Sequence, residues 1–217
     1  MAECLIRGID PTSNNAPGSI KEAQEKYFNI YNGKLSNITS SRRTELANRI
    51  GLVATGKKTK PCYTIFDNGE GQTPKMMPET LLSLGKSNKL RIPFVQGKFN
   101  MGGTGVFQFC GEKNLQFIVS KRHPEIQNNN DNTTNLWGCT VVRREDPTEG
   151  IRNSVYKYLA PNRKILSFES EFLQILPEEH PNAYGRKMLW GTFIKLYEYQ
   201  MTGMLTNILF DLYNQHS

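Results

Sequence analysis

The sequence predicts an α/β protein, because segments with helical periodicity and segments typical of buried strands both occur along it. Apolar residues recur at helical spacing over 20–31, and Asn32-Gly33 then ends that pattern. Four short runs are rich in β-branched and aromatic residues, which favours buried strands. They cover 62–66, 115–120, 137–143 and 191–197.

The other elements are predicted from local signals. Residues 1–19 contain prolines and glycines and are expected to be irregular. A serine-capped helix is expected from Ser40 or Ser41 to Ile50, and a short helix over 78–84 begins with a proline. Three further segments are a polar surface loop over 127–135, an insertion of short apolar pieces over 144–188 and the start of a C-terminal helix over 200–217.

The composition is that of a globular chain with a sizeable core. The chain has 217 residues, of which 37% are hydrophobic and 22% are charged, and no linker divides it. We therefore expect a single domain over 1–217. No apolar run approaches the roughly 18 residues of a spanning helix, and the first residues show no secretion signal. The expected location is the cytoplasm, with no membrane partner.

The cysteines and histidines give no sign of a metal site. No C-x-x-C pair occurs, and most of the cysteines neighbour apolar or aromatic residues, so reduced core cysteines are expected. The histidines lie in loop-like or terminal settings and suggest neither a metal site nor a catalytic dyad. The residues concerned are Cys4, Cys62, Cys110, Cys139, His123, His180 and His216.

The chain is basic, with a formal net charge of +7 and a pI near 9.2. This permits an anionic partner such as a nucleotide or a nucleic acid and requires neither. Within 34–60, Glu45 is the only acid among seven basic residues. Such a run is typical of a solvated face. Nucleic-acid contact remains an alternative, although the run lacks interleaved aromatic residues.

Two glycine clusters carry the strongest chemical signal. The first, Asp67-x-Gly69-x-Gly71, directly follows a predicted buried strand. A carboxylate there can accept a hydrogen bond from an exocyclic amine, and the glycines allow the backbone to approach a flat ring closely. The second, Gly-Gly-Thr-Gly over 102–105, opens a predicted helix, whose N–H groups favour phosphate.

The chain between the two clusters is basic. It has no acid over 80–111 but contains Lys86, Lys89, Arg91 and Lys98. A basic loop bounded by glycines suits a polyanionic ligand, and a solvated loop is the alternative.

These motifs, in this order, resemble the GHKL superfamily of ATP-binding domains. The family includes gyrase B-type topoisomerases, ninety-kilodalton heat-shock chaperones, histidine kinases and mismatch-repair ATPases. The resemblance covers 62–199 and combines the two glycine clusters with 84–87 and with Gly191-Thr192. It implies a two-layer α/β sandwich of the Bergerat type, with a mixed, mostly antiparallel sheet and helices on one face. Segments 81–89 and 96–105 are also similar to prokaryotic ATP-binding proteins that are often linked to mobile elements or phage defence.

The resemblance implies a role for each matching residue. Asp67 would accept the adenine amino group, and Gly69 and Gly71 would pass under the base. Thr192 would help to fix the adenine side, although an ordinary strand threonine is the alternative. The triphosphate would be bordered by Lys86, Gly102, Gly103, Thr104 and Gly105, under a lid over roughly 86–105 that is expected to stay mobile until the nucleotide binds.

The sequence departs from the family at one motif. Family members carry Glu-x-x-x-Asn on an early helix, where the glutamate activates water and the asparagine binds magnesium. Glu3 offers the glutamate, but Arg7 stands where the asparagine belongs, and arginine has no acceptor for a cation. Glu45 is followed by Asn48, one position too early. We therefore expect the motif to lie before Met1, in a longer protein.

The implied function is that of an Mg-ATP-binding domain of a larger ATPase, in which ATP closes the lid and drives homodimerisation. We expect this chain alone to hydrolyse ATP poorly or not at all. A degenerate interaction module of the same fold, a nucleic-acid-binding domain and a histidine-kinase-like enzyme are the alternatives. The last is the weakest, because no phospho-acceptor histidine on a helical hairpin is visible.

Overall fold

The computed structural model describes residues 1–84, 89–97, 105–126, 130–175 and 187–200. Within these ranges the chain forms three helices, α1 (Ala2–Ile6), α2 (Ile20–Phe28) and α3 (Ser40–Ala47). The strands are β1 (Ile50–Lys57), β2 (Lys60–Asp67), β3 (Leu115–Lys121), β4 (Trp137–Glu145), β5 (Val155–Tyr158), β6 (Leu166–Phe168), β7 (Leu173–Gln174), β8 (Lys187–Met188) and β9 (Gly191–Leu196).

Seven of these strands form one sheet. Their order is β1-β2-β9-β3-β4-β5, and β6 pairs with β4. All of these pairings are antiparallel, while β7 and β8 form a separate antiparallel ribbon. The protein is therefore an α/β protein with a mostly antiparallel sheet, as the sequence predicts, and its described residues contain few helices. Because β5 and β6 belong to the sheet, part of the predicted insertion over 144–188 extends it.

The four predicted strands are confirmed. They correspond to β2, β3, β4 and β9, of which β2 is longer than predicted and β9 ends one residue earlier. The predicted pairing of β3 with β4 is also confirmed, from Leu115 opposite Arg143 to Ser120 opposite Gly138.

The N-terminal part contains two elements that the sequence prediction lacked. Residues 1–19 are not irregular throughout, because they include α1. The helix predicted to reach Ile50 ends at Ala47, and Ile50 already begins β1. β1 contains two glycines and ends in lysine, so its own sequence favours a strand weakly. Its pairing with β2, from Ile50 opposite Asp67 onward, stabilises it.

Two other helix predictions are wrong or partly outside the described residues. In place of a helix over 78–84 there is a 3₁₀ turn at Met77–Glu79. Gly105 is α-helical, but after Val106 the chain forms another 3₁₀ turn, Phe107–Phe109, and does not continue as an α-helix. The rest of the second glycine cluster and the predicted helix after residue 200 lie outside the described residues. The prediction of α2 is confirmed, although the helix ends at Phe28, where Asn29 takes a left-handed conformation.

Each face of the sheet packs against a different layer, because successive side chains on a strand point to opposite faces. Val119 lies on the face that packs against Met188 of β8. Ile118 lies on the other face, which packs against Met77 and Phe107 from the two 3₁₀ turns. Asp67 and Thr192, two of the predicted binding residues, lie on this second face, as described below.

A separate cluster anchors part of the segment that joins the two glycine clusters. Ile92 and Phe94 are buried against Cys4 of α1 and Tyr27 of α2. The described part of the predicted lid, 89–97, is therefore packed against the N-terminal helices.

Candidate functional site

Two residues that the resemblance implicates are direct neighbours in the sheet. Asp67, the last residue of β2, lies opposite Thr192 of β9. Thr192 in turn lies opposite Ser120 of β3, which lies opposite Gly138 of β4. Residues paired in this way share a face of the sheet, with Cβ atoms of neighbouring strands about 4.5–5.5 Å apart. Asp67, Thr192 and Ser120 thus form one polar row, on the same face as Ile118.

Asp67 combines solvent access with close protein surroundings. The residue is exposed, yet desolvation by the surrounding protein raises the pKa of its carboxyl, against the opposing effects of the Gly69 N–H and of Lys89. The Gly69 N–H donates to Oδ1 at 2.9 Å. No donor among the described residues contacts Oδ2. The carboxylate therefore offers a recessed but reachable acceptor, which is what recognition of an amine requires.

Two glycines near this carboxylate allow the backbone to pass very close to neighbouring carbonyl groups. Gly71 has φ +59°, and a Cβ placed on it would lie 1.8 Å from the carbonyl oxygen of Lys121. Gly191 has φ +116°, and its Cβ would lie 2.0 Å from the carbonyl oxygen of Asp67. Only glycine fits either position. The sequence analysis included Gly191 in a motif of the resemblance but gave it no role of its own.

The end of the row contains a hydrogen-bond centre that sequence reasoning also missed. The Ser120 side chain is 0% exposed. Its hydroxyl donates to the Gly191 carbonyl at 2.9 Å and accepts from the Gln72 N–H at 2.8 Å. It also contacts the Thr192 hydroxyl at 3.1 Å. A single serine in an apolar strand gives no sequence signal for such a role.

An ion pair anchors the loop that carries the first glycine cluster. Arg122 donates to the Glu70 carboxylate at 3.1 Å and to the Gly71 carbonyl at 3.0 Å. The backbone N–H of His123 donates to the Glu70 carbonyl at 2.9 Å. The other side of the loop is held by Asn68, whose side chain donates to the Trp190 carbonyl at 2.9 Å. The turn after Asp67 is thus fixed to β3 and to the start of β9.

The predicted phosphate side lies mostly outside the described residues. This applies to Lys86, Gly102, Gly103 and Thr104. Gly105 is described, and a Cβ on it would meet open space. The structure therefore brings together Asp67, Gly69, Gly71 and Thr192, while the residues assigned to the phosphates stay predictions.

Glu3 lies in α1, and each of its two carboxylate oxygens lies close to an arginine. Arg49 contacts Oε1 at 2.9 Å, and Arg7 lies 3.7 Å from Oε2. Glu3 and Arg49 line a cavity of about 520 Å³ that also includes Asn68 and Trp190. This arrangement leaves Glu3 poorly suited to act as a base or to bind a cation.

The three arginines of the basic run over 34–60 form ion pairs or hydrogen bonds within the protein. Arg42 and Arg49 both pair with Glu45, and Arg43 donates to the carbonyl oxygens of Leu35 and Ile38. Side chains held in this way favour a structural role for α3 over contact with nucleic acid.

Neither a scan against protein-family models nor a search of curated proteins returns a match to this chain. In the part of the chain that the structure describes, no three histidine, cysteine, aspartate or glutamate side chains come together as a metal site. The same part contains no helix with the length and apolar character needed to cross a membrane. The four cysteines are free, and each is buried or half-buried.

Replacing Asp67 with asparagine is expected to raise the melting temperature at pH 7. Because burial raises the pKa of Asp67 above its unfolded value, the ionised group destabilises the folded state at a pH above both values. This cost disappears as the pH falls through the raised folded pKa. Asparagine keeps an oxygen for the Gly69 N–H without the charge. Thermal unfolding of both proteins from pH 7 down to about pH 4 should show the two curves converging.

Asp10→Asn is the matched control for this experiment. Hydrogen bonds from the backbone N–H and the hydroxyl of Thr12 lower the pKa of Asp10. The ionised Asp10 therefore stabilises the folded state, and Asp10→Asn should not raise the melting temperature at pH 7. A lower melting temperature for Asp67→Asn at pH 7, or a gain that persists in acid, would contradict the assigned surroundings of Asp67.

Proposed function

We propose that this chain is an ATP-binding domain of the GHKL type, with the Bergerat fold, and that it is the nucleotide-binding part of a larger ATPase. The observation that carries the proposal is the pairing of Asp67 with Thr192. These residues belong to the first and last motifs of the resemblance, and they lie side by side on one face of the sheet. The tight glycine turn beside them supports the same assignment.

The residues at the proposed adenine end of the site suit hydrogen bonding to the exocyclic amine of the base. The recessed Asp67 carboxylate accepts from the exocyclic amine of the base. Gly71 and Gly191 bring the backbone close to this position, where any side chain would collide with a neighbouring carbonyl. In the proposal, Lys86, Gly102, Gly103, Thr104 and Gly105 surround the phosphates, and nucleotide-dependent closure of this region promotes homodimerisation.

Magnesium fits the described residues less well than the nucleotide does. Both oxygens of Glu3 face arginines, and Arg7 supplies a positive charge where the family has an asparagine. A cation at this position would be repelled. We therefore assign no metal-binding residue, and we infer that magnesium would arrive with the phosphates of the nucleotide.

The proposal is tested by titrating the chain with ATP in a calorimeter. Asp67→Asn replaces a charged acceptor by a group that also carries donors facing an amine. Loss of a charge-assisted hydrogen bond of roughly 1.5–3 kcal/mol corresponds to a loss in affinity of about tenfold or more. Asp146→Asn is the control, because Asp146 is an exposed carboxylate paired with Arg144, and it should bind ATP like the wild type. No binding by the wild type, or equal binding by Asp67→Asn, would exclude the assignment.

A second candidate is a domain of the same fold that binds ATP without turning it over. The arginine contacts of Glu3 favour it, since Arg49 and Arg7 contact the carboxylate that would have to orient the attacking water. Steady-state phosphate release tests this candidate, because turnover by this chain that disappears in Glu3→Gln would contradict it and would show that Glu3 is the catalytic base.

A further inference from the structure

On the basis of the proposed adenine site, we propose that Ser120 is a specificity-determining positioning residue. It makes Thr192 a pure hydrogen-bond acceptor, so that the row accepts a base with an exocyclic amine and rejects the same base with an oxo group. Ser120 does not contact the ligand in this proposal. It acts through the direction of the Thr192 hydroxyl.

The direction follows from counting protons. A serine hydroxyl has one proton and two lone pairs. The Gly191 carbonyl lies 2.9 Å from Ser120 Oγ and has no proton to give, so the Ser120 proton points to it. The Gln72 N–H, at 2.8 Å, occupies one lone pair of Ser120. The second lone pair remains for Thr192.

The contact between the two hydroxyls, at 3.1 Å, therefore has Thr192 as its donor. With its only proton directed at Ser120, Thr192 Oγ1 presents lone pairs alone to its remaining surroundings. Among the described residues no donor is directed at these lone pairs. Thr192 is 8% exposed, so its contact with solvent or ligand is narrow.

The row consequently presents two acceptors side by side, the Asp67 carboxylate and the Thr192 hydroxyl. An exocyclic amine has two N–H donors and suits this pair directly. An oxo group at the same position of the base places lone pairs against lone pairs. A freely rotating threonine hydroxyl would serve both groups, because it could donate as well as accept. The fixed direction set by Ser120 removes this tolerance.

The test compares ATP with inosine triphosphate, which carries an oxo group in place of the amine. The wild type should bind ATP more tightly. In Ser120→Ala the Thr192 hydroxyl no longer has to donate to Ser120, so it can donate to the oxo group of inosine triphosphate. The preference for ATP over inosine triphosphate, measured as the ratio of their affinities, should therefore fall about threefold to tenfold, as expected for one hydrogen bond. Thr140→Val is the control, since Thr140 is another buried hydroxyl on the same face, donating to the Leu159 carbonyl at 2.8 Å. This variant should leave the ratio unchanged.

The double variant separates positioning from a general loss of structure. In a Thr192→Val background there is no hydroxyl to direct, so adding Ser120→Ala should not change the ratio. If Ser120→Ala does not fold, Thr192→Val alone still tests the proposal, because removing the acceptor should weaken the binding of ATP and should not weaken the binding of inosine triphosphate. Equal weakening of both nucleotides in Ser120→Ala, or an unchanged ratio, would overturn the role of Ser120 while leaving ATP binding intact. A wild type that binds neither nucleotide would instead overturn the proposed function, and this inference with it.

Discussion

Gly71→Ala is expected to cause a large loss of stability. Gly71 has φ +59°, and the added Cβ would lie 1.8 Å from the carbonyl oxygen of Lys121, which belongs to β3. A left-handed conformation costs a residue with a side chain roughly 1–2 kcal/mol. The collision with backbone adds to this cost, because the loop must move away from the sheet and loses the Arg122 contact with the Gly71 carbonyl. We expect a total on the order of 3 kcal/mol or more, which corresponds to a fall in melting temperature of roughly 6–12 °C.

Gly8→Ala is the matched control. Gly8 has φ +66°, almost the same as Gly71, but no atom lies within 4 Å of a Cβ placed on it. Gly8→Ala should therefore lower the free energy of unfolding only by the cost of the left-handed conformation, about 1–2 kcal/mol. Thermal or urea unfolding of the two variants measures the difference, which isolates the close approach of the loop to β3. If both variants lose the same stability, the loop does not pack against Lys121 as described.

The fold class was predictable because it depends on local signals. The strands β2, β3, β4 and β9 are short runs of β-branched and aromatic residues, and burial on both faces preserves that signal. β1 was missed because its glycines and terminal lysine resemble a loop, and it becomes a strand only by pairing with β2. α1 was missed because five residues are too few to show a helical period.

Only part of the candidate site was predictable, because the register between neighbouring strands brings its other residues together. Asp67 and the glycines after it are adjacent in the sequence, so their pattern is visible there. Thr192 and Ser120 join Asp67 through the alignment of three strands, and no single segment encodes that alignment. The contact of Arg122 with Glu70 has the same origin, because it links the loop after β2 to the end of β3.

Arg122→Met is expected to destabilise the protein by on the order of 3 kcal/mol, the low end of the cost of removing one partner of a buried ion pair, because this pair is only partly buried. Arg122 and Glu70 lie 3.1 Å apart, and their side chains are only 12% and 16% exposed. Methionine keeps much of the length of arginine but none of its donors. The Glu70 carboxylate would therefore stay partly buried without its cation, and the Gly71 and Ile126 carbonyls would lose the N–H groups that Arg122 donates to them.

Two further variants assign this effect to the ion pair. Lys157→Met breaks an exposed pair, with Lys157 62% and Glu145 34% exposed, and should cost no more than about 1 kcal/mol. Adding Glu70→Gln to Arg122→Met removes the unpaired charge and should recover part of the lost stability, since desolvation of the lone carboxylate is the larger cost. Urea unfolding of the three variants and the wild type gives these differences without any ligand. If Glu70→Gln recovers nothing, the loss in Arg122→Met comes from the backbone carbonyls that Arg122 binds, and the Glu70 carboxylate does not anchor the loop.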